Sequence, residues 1–339
     1  PMRLQLEARF GTDGRDALLD TFARAWITDA DLAWLASQGF NLVRVPLGYR
    51  ALLENSDAEP LQELRWNERS WDRIQWLLDA CEAHGIYAVV DLQESPGGHN
   101  DYSGEAQLYD DPAMQELTLE LWAELVDRFG DEPAVAAWSL LAEPFSAPSS
   151  EARDAMYDRL HDQIRAAGDD HLLVIHDGFQ GMWDLPDPVD MGWTGVVYST
   201  HLFEWGADSR EDYAALTEVW RTLLGGAQEG QDVPYFIGSW SVMQDADWAY
   251  ESAGAMVSLF EELRWPWSLW TMKRLDDPWE VELFGAQTSW GLLGRQESAF
   301  DRPDLYRDSY EELERKFAAY EDLDLAPNDA LLEAITTGW

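Results

Sequence analysis

Three glutamates directly follow short apolar runs of the sequence. Glu94 closes the run YAVVDLQE, Glu143 follows AAWSLLA and precedes a proline, and Glu204 follows STHLF. A carboxylic acid can donate a proton and a carboxylate can accept one, so two such groups can share general acid–base catalysis. Glu143 could pair with Glu94 or with Glu204; Glu143 and Glu94 are candidate catalytic residues, and Glu204 is a candidate for binding a substrate.

Other side chains at the ends of apolar runs could contact a ligand or reacting group. Ser239 has a hydroxyl, but no histidine is placed by the sequence to activate it as a nucleophile. His99 and Asn100 follow two glycines and are interpreted as rim or loop residues. The remaining candidates offer hydrogen-bonding groups or aromatic faces for binding a substrate: Arg44, Gln93, His201, Phe203, Trp240 and Trp270.

The sequence has no pattern typical of a bound metal or cofactor. No His, Cys, Asp and Glu residues have convincing metal-ligand spacing, and no phosphate-binding loop, G-x-S-x-G elbow or haem motif is present. His201 and Glu204 are three residues apart, but in an extended segment they face opposite sides. We therefore expect neither a metal nor a cofactor.

The elements that must position these residues alternate along the chain. Amphipathic helical runs at 30–38, 71–84, 114–129, 152–167, 246–262 and near 306–320 separate short apolar runs, which lie at 40–46, 86–92, 135–141, 171–177, 195–201, 233–239 and 265–270. Near-continuous apolar strands alternating with helices indicate a parallel sheet covered by helices. No G-x-G-x-x-G follows the first strand, as a dinucleotide-binding open sheet would require.

These elements predict an α/β fold of the (β/α)8 TIM-barrel class, in which the strand ends carry the functional residues. Seven strands are readable, so the first of eight is either irregular or missing. Residues 2–10 are the only candidate for it, and a weak one. No linker or internal repeat divides the chain, so we expect residues 1–339 to form a single domain.

Charge excludes several classes of partner. The 339 residues include 23 Lys and Arg but 65 Asp and Glu, giving a net charge of −42. Such a field repels phosphates and anionic lipid headgroups, so we expect neither nucleic-acid nor membrane partners. Disorder is not expected, because 46% of residues are hydrophobic.

The excess of acid with almost no lysine is typical of halophilic proteins, since salt screens the self-repulsion. We expect a soluble acidic protein, either in the cytoplasm of a salt-accumulating organism or secreted into a saline medium. The sequence leaves its oligomeric state open.

Seven stretches of the sequence follow one another in a recognisable order. They are GFNLVRVPLGYRAL (39–52), DLQESPGGHNDYSG (91–104), AVAAWSLLAEPFS (134–146), YSTHLF (198–203), PYFIGSWS (234–241), WSLWTMK (267–273) and TSWGLL (288–293). Together they resemble glycoside hydrolase family 5, especially its exo-β-glucanase and cellulase-like branches. The resemblance implies a β-glucan, gluco-oligosaccharide or β-glucoside ligand. It also implies that Arg44 supports the nucleophile, Glu143 is the acid/base, His201 is an active-site histidine and Trp270 is a sugar platform.

The chain departs from the family pattern at several strand ends. Gln93 replaces the histidine of D-L-H-G, and Glu94 replaces its glycine. Ala142 replaces the asparagine before the acid/base, and Phe203 replaces a tyrosine. Ser239 stands where the family has its nucleophile glutamate in G-E-W. Without that carboxylate, ordinary double displacement is not expected.

Three interpretations follow from these departures. The leading one is a carbohydrate-active enzyme with a rebuilt site, in which Glu143 donates the proton and Glu94 is the second carboxylate. Their spacing would then be the wider one of an inverting enzyme. The alternatives are a catalytically inactive carbohydrate-binding pseudoenzyme and a nucleophile-substituted variant of a retaining glucanase.

Overall fold

The computed structural model describes most of the chain. The described residues are 2–56, 58, 61–101, 106–203, 207, 209–242, 247–275, 291–295 and 301–337. They divide into two compact units. The first unit runs to Leu173 and includes residues 301–323, and the second begins at Val174 and includes residues 324–337.

Helices and strands alternate through most of the chain. The helices are α1 (Met2–Trp26), α2 (Asp29–Ser37), α3 (Tyr49–Leu52), α4 (Glu68–His84), α5 (Pro112–Phe129), α6 (Ser150–Ala166), α7 (Pro188–Met191), α8 (Arg210–Gly230), α9 (Asp247–Leu263), α10 (Tyr310–Ala318) and α11 (Asp329–Thr336). The strands are β1 (Leu42–Gly48), β2 (Tyr87–Glu94), β3 (Val135–Ser139), β4 (Leu172–His176), β5 (Val196–Leu202), β6 (Tyr235–Trp240), β7 (Trp267–Leu269), β8 (Lys273–Leu275), β9 (Leu293–Arg295) and β10 (Ala326–Pro327).

Strands β1 to β7 form one sheet in chain order. In the first unit, β1 pairs in parallel with β2 and β2 with β3; in the second unit, β5 pairs in parallel with β6 and β6 with β7. All seven predicted strands are therefore confirmed, as are the six predicted helices. A second sheet of three short strands has the order β10, β9, β8.

Burial along these strands follows from the parallel arrangement. Every residue of β5 and β6 is buried, because helices and neighbouring strands cover both faces. Strand β1, at the end of the strand order, is mostly half-buried. Parallel strands place their carboxyl ends at one edge, so within each unit the polar residues that follow the strands are brought together.

Residues 2–10 are not a strand, which corrects the expectation placed on them. They form the first part of α1, which bends at Gly11, where φ is 73°. Leu6 packs with Leu18 against Leu313 and Phe317 of α10, so the apolar spacing of this stretch serves helix packing. Residues 2–41 are all described and contain no strand.

Helix ends in the first unit carry the expected local signals. Gly85 ends α4 in the left-handed conformation, with φ 69°. Asp111 begins α5, where its side chain accepts a hydrogen bond from the amide of Ala113 and Pro112 follows it.

No helix among the described residues is long and apolar enough to cross a membrane.

Candidate active site

An ion pair between β1 and β2 occupies the interior of the first unit. Arg44 Nη2 lies 2.8 Å from Asp91 Oδ2 and donates a second hydrogen bond to Gln93 Oε1 at 3.0 Å. Parallel pairing aligns these strands and allows one guanidinium to reach both side chains. Arg44 therefore already has a carboxylate partner on the neighbouring strand.

Asp91 itself was not among the residues expected in the site. Its side chain is almost fully buried, at 1% exposure. Burial raises the pKa of this carboxyl, and the charge of Glu143 raises it further, while Arg44 and a hydrogen bond from Ser139 oppose the shift. The charge of Glu143 therefore reaches the buried carboxyl of Asp91.

Glu94 lies at the end of β2 and is ion-paired. Its carboxylate contacts the guanidinium of Arg50 on α3. The other oxygen lies against the backbone of Gly48, where an added Cβ would approach it to 3.1 Å. About a quarter of the Glu94 side chain is exposed, so the ion pair remains accessible to solvent.

Glu143 has a strained backbone that is held by a neighbouring loop. Its φ is 53°, in the left-handed region that bulky residues rarely occupy. Asn100 Nδ2 donates to the carbonyl of Glu143 at 3.1 Å and to that of Ala142 at 3.2 Å. The amide of Phe145 also donates to the Glu143 carbonyl, at 2.8 Å. Strain of this kind persists only where surrounding contacts hold it, and it is concentrated at functional sites.

His99 completes this set of contacts. Its Nε2 lies 2.5 Å from the carbonyl oxygen of Ala142, and because a carbonyl only accepts, Nε2 carries the proton. Nδ1 then accepts from the backbone amide of Ser95 at 3.3 Å and from the Ser95 hydroxyl at 3.1 Å. The imidazole is fully buried, and burial lowers its pKa to about 4, so it is neutral at pH 7. We call His99 and Asn100 the β3 clamp.

In the second unit, Ser239 lies near the end of β6 and is buried. Its Cα is the register partner of His201 on β5, an adjacency that the sequence alone did not reveal. His201 Nε2 lies against Gly238, where an added Cβ would approach it to 2.8 Å. Among the described residues, none forms a hydrogen bond with the Ser239 side chain.

An aromatic row in the second unit includes three of the expected binding residues. The rings of His201 and Phe203 are 6.4 Å apart, and those of Phe203 and Trp270 are 5.5 Å apart in an edge-to-face arrangement. His176 continues the row, with its ring 4.3 Å from that of His201. Trp270 is 39% exposed, so part of its ring is available to a ligand.

Trp240 is placed differently from these residues. It is 1% exposed and packs edge-to-face against Phe260 of α9 and Trp267 of β7. This placement in the core does not support the predicted contact with a ligand. Glu204, the remaining candidate, lies outside the described residues.

The sequence did not point to three buried residues, Asp91, His99 and Asn100, that contact the predicted site residues or the backbone beside them. Asp91 stands inside an apolar run, and only its charge at an inward position signals a role. His99 and Asn100 were interpreted as loop residues because their hydrogen-bond acceptors are backbone carbonyls some 40 residues away. Every residue has a backbone carbonyl, so residue types do not show which carbonyl accepts a hydrogen bond.

Comparisons with known proteins agree with this arrangement of elements. The family Cellulase (glycosyl hydrolase family 5) matches residues 11–276. A structure of Thermotoga maritima Cel5A in complex with cellobiose has a TM-score of 0.64 at 17% identity, and the match covers 91% of this chain and 90% of that one. The endo-glycoceramidase II of a Rhodococcus species, solved as a lactosyl-enzyme intermediate, has a TM-score of 0.58 at 19% identity, covering 74% and 71%.

The fold class is therefore the (β/α)8 barrel of glycoside hydrolases, as predicted. More particularly, the chain belongs to glycoside hydrolase family 5.

Two curated relatives agree with this assignment. The glucan 1,3-beta-glucosidase 2 of Saccharomyces cerevisiae is 32% identical over 192 residues, covering 50% of this chain and 34% of the relative. A beta-xylosidase of Phanerodontia chrysosporium is 28% identical over 208 residues, covering 59% and 42%. The chain thus spans about a third to two fifths of the length of these relatives.

Proposed function

We propose that the chain binds a β-linked glucoside or gluco-oligosaccharide and cleaves its O-glycosidic bond with Glu143 as the general acid. The β3 clamp is the observation that carries this proposal. The clamp donates two hydrogen bonds to the carbonyl of Ala142 and one to that of the strained Glu143, so the backbone of Glu143 is pre-organised, as a proton donor to a leaving oxygen requires. The relatives named as glucan 1,3-beta-glucosidases and the cellobiose complex support the substrate class.

In the proposed reaction, Glu143 gives its proton to the glycosidic oxygen as the bond from that oxygen to the anomeric carbon breaks. A water molecule attacks the anomeric carbon and must lose a proton to a second carboxylate. We assign this role of general base to Glu94. Its ion pair with Arg50 holds the carboxylate at the end of β2, and its partial exposure gives access to water.

Ser239 has no place in this reaction as a nucleophile. A covalent glycosyl-enzyme intermediate requires a carboxylate about 5–5.5 Å from the acid/base, and a serine hydroxyl without a base does not replace it. The proposal therefore predicts direct displacement by water and inversion at the anomeric carbon.

One observation favours a second candidate, a carbohydrate-binding protein without turnover. The two carboxylates described in the site besides Glu143 each have an arginine partner: Asp91 pairs with Arg44, and Glu94 pairs with Arg50. An arginine that occupies the lone pairs of a carboxylate competes with its use as a base. Under this alternative, Glu143 is only a hydrogen-bonding group for the sugar.

Substitution of the two proposed catalytic residues separates these functions. Hydrolysis of gluco-oligosaccharides is measured in molar KCl, because a chain of charge −42 needs screening. Glu143→Gln should lower kcat by about 100-fold or more, as expected when a general acid is lost. Glu120→Gln, on the exposed face of α5, is the matched control and should leave kcat unchanged.

The role of Glu94 is tested in the same assay. Glu94→Gln should lower kcat strongly, and NMR of the first-formed product should show the inverted anomer. Unchanged turnover in Glu94→Gln would refute its role as base. Binding of oligosaccharide without any hydrolysis by the unmodified chain would favour the second candidate.

A further inference from the structure

Ser199 on β5 has a buried hydroxyl that the proposed function does not use. The residue is 1% exposed, and within the described part of the chain its Oγ forms no hydrogen bond. Burying a hydroxyl without a hydrogen bond is unfavourable, and folded proteins pair nearly all such groups with a protein atom, an ordered water molecule or an ion. The Ser199 hydroxyl is therefore suited to a small bound ligand.

His201 lies on the same face of the sheet as Ser199. It is two residues further along β5, and side chains alternate between the two faces of a strand. Both polar groups reach the same point beside β6, because a Cβ added to Gly238 would lie 2.6 Å from Ser199 Oγ and 2.8 Å from His201 Nε2. The hydroxyl and the imidazole therefore converge on one small region of the second unit.

His176 at the end of β4 adds a buried donor beside this region. The Asp177 amide donates to the carbonyl of Ser199 at 3.0 Å, which aligns the two strand ends, and the ring of His176 lies 4.3 Å from that of His201. His176 Nδ1 accepts a hydrogen bond from the Gly178 amide at 2.9 Å, so the ring proton is on Nε2. The Asp177 carboxylate lies 3.4 Å from Nδ1, on the other side of the ring from that proton.

Ser239 continues this face of the sheet on β6. Its Cα is the register partner of His201. The next residue, Trp240, packs against Phe260 of α9, so the alternation of the strand turns Ser239 toward the opposite face, where His201 lies. The family resemblance places a carboxylate at position 239. Serine there leaves the neighbouring imidazole without that negative charge.

We propose that this buried polar face of β5 and β6 binds one chloride ion, which accepts hydrogen bonds from the Ser199 hydroxyl and from imidazole N–H groups of His201 and His176. A halide only accepts hydrogen bonds, which matches groups that can all donate. The ion supplies the negative charge that Ser239 lacks, and it takes no part in the proposed hydrolysis. The net charge of −42 does not exclude it, because at 1 M salt charges are screened within about 3 Å.

Chloride binding is measured by titration, from the broadening of the chloride NMR line. Potassium gluconate keeps the ionic strength constant, since an anion of that size does not fit a buried position. The unmodified chain should show saturable binding. Ser199→Ala should weaken it by about ten-fold, as expected when one hydrogen bond to an ion is lost. Ser252→Ala is the matched control, because this buried serine of α9 already donates to the carbonyl of Trp248, and it should leave the affinity unchanged.

A second substitution and a direct location of the ion test its place in the fold. Ser239→Glu puts a fixed carboxylate on the same face, so repulsion between like charges should abolish the saturable binding of chloride. Crystals grown in potassium bromide locate the halide by its anomalous scattering. A bromide peak should lie within hydrogen-bonding distance of Ser199 Oγ and His201 Nε2.

Several results would overturn the chloride site. They are the absence of saturable binding by the unmodified chain, and binding that survives either Ser199→Ala or Ser239→Glu. A water molecule beside Ser199 in the bromide crystals, or bromide peaks only elsewhere, would also refute it. None of these measurements depends on hydrolysis, so the chloride site can fail while the proposed function stands.

Discussion

The ends of β3 and β6 are the positions where the family resemblance places the acid/base and the nucleophile, and they are built very differently. After β3, Glu143 has a strained backbone whose carbonyl and that of Ala142 accept hydrogen bonds from His99 and Asn100. Near the end of β6, Ser239 has a side chain without a hydrogen bond to any described residue. Hydrogen bonds therefore fix the backbone at Glu143, the proposed proton donor, while no described residue fixes the hydroxyl of Ser239 in this way.

This difference suits the requirements of proton donation, which is the role proposed for Glu143. A general acid acts only if its proton points at the leaving oxygen, so its backbone must be fixed before substrate arrives. A hydroxyl with neither charge nor base adds no attacking power, however well it is placed. Substitutions that remove contacts to the β3 end should therefore change stability and activity much more than substitutions at residue 239.

Breaking the buried ion pair between Arg44 and Asp91 should have the largest effect on stability. Arg44→Met leaves Asp91 buried without its compensating charge, which typically costs about 3–5 kcal/mol. Urea unfolding at pH 7 and constant salt measures this change. Arg210→Met, which removes an ion pair exposed by more than half on both sides, is the control and should cost less than about 1 kcal/mol. Equal effects of the two substitutions would show that the Arg44–Asp91 pair is not buried as described.

The β3 clamp should also make stability depend on pH. Burial lowers the pKa of His99 to about 4, below the value of about 6.5 in the unfolded chain. Between these values the unfolded chain binds the proton and the folded chain does not, so stability falls as pH decreases from 6.5 to 4. The loss contributed by His99 should approach about 3 kcal/mol.

His99→Gln tests this dependence, because glutamine can still donate to the Ala142 carbonyl but does not titrate. The free energy of unfolding should fall less steeply with decreasing pH in His99→Gln than in the unmodified chain. Asn100→Ala removes a donor from the same carbonyls without removing a titrating group, so it should lower stability without changing that slope. A slope unaffected by His99→Gln would contradict the description of a neutral, buried imidazole.

Substitution at the end of β6 should have the smallest effect. Ser239→Ala removes a hydroxyl with no hydrogen bond to a described residue, so we expect a change in unfolding free energy within about 0.5 kcal/mol. Turnover should change by less than two-fold. A loss of activity comparable with that of Glu143→Gln would reverse the comparison and give Ser239 a direct catalytic role.

The sequence predicted the periodic part of the fold well. All seven strands of the main sheet follow from apolar runs, because parallel strands covered on both faces must be apolar. The helix at residues 2–26 was misjudged because its apolar positions, Leu4, Leu6 and Phe10, also fit a short strand. Its packing partner, α10, lies some 300 residues away in the sequence, so tertiary contact decided the outcome.

The candidate site was less predictable than the fold. Strand ends indicated which positions would lie together, and of these Arg44 and Gln93 are hydrogen-bonded to each other. Trp240 followed the same rule but packs into the core, since a strand end does not fix the direction of a side chain. The clamp residues and the left-handed backbone of Glu143 could not be predicted, because both depend on hydrogen bonds between residues some 40 positions apart.

The reaction with azide tests most directly whether displacement at the anomeric carbon occurs in a single step. With a 2,4-dinitrophenyl β-glucoside, the leaving phenolate needs no proton, so only attack at the anomeric carbon limits the rate. We predict that the azide product, identified by NMR, is the α-glucosyl azide, formed when azide takes the place of the attacking water. Formation of the β-glucosyl azide, or a first hydrolysis product with the retained β configuration, would show a covalent intermediate and contradict this account.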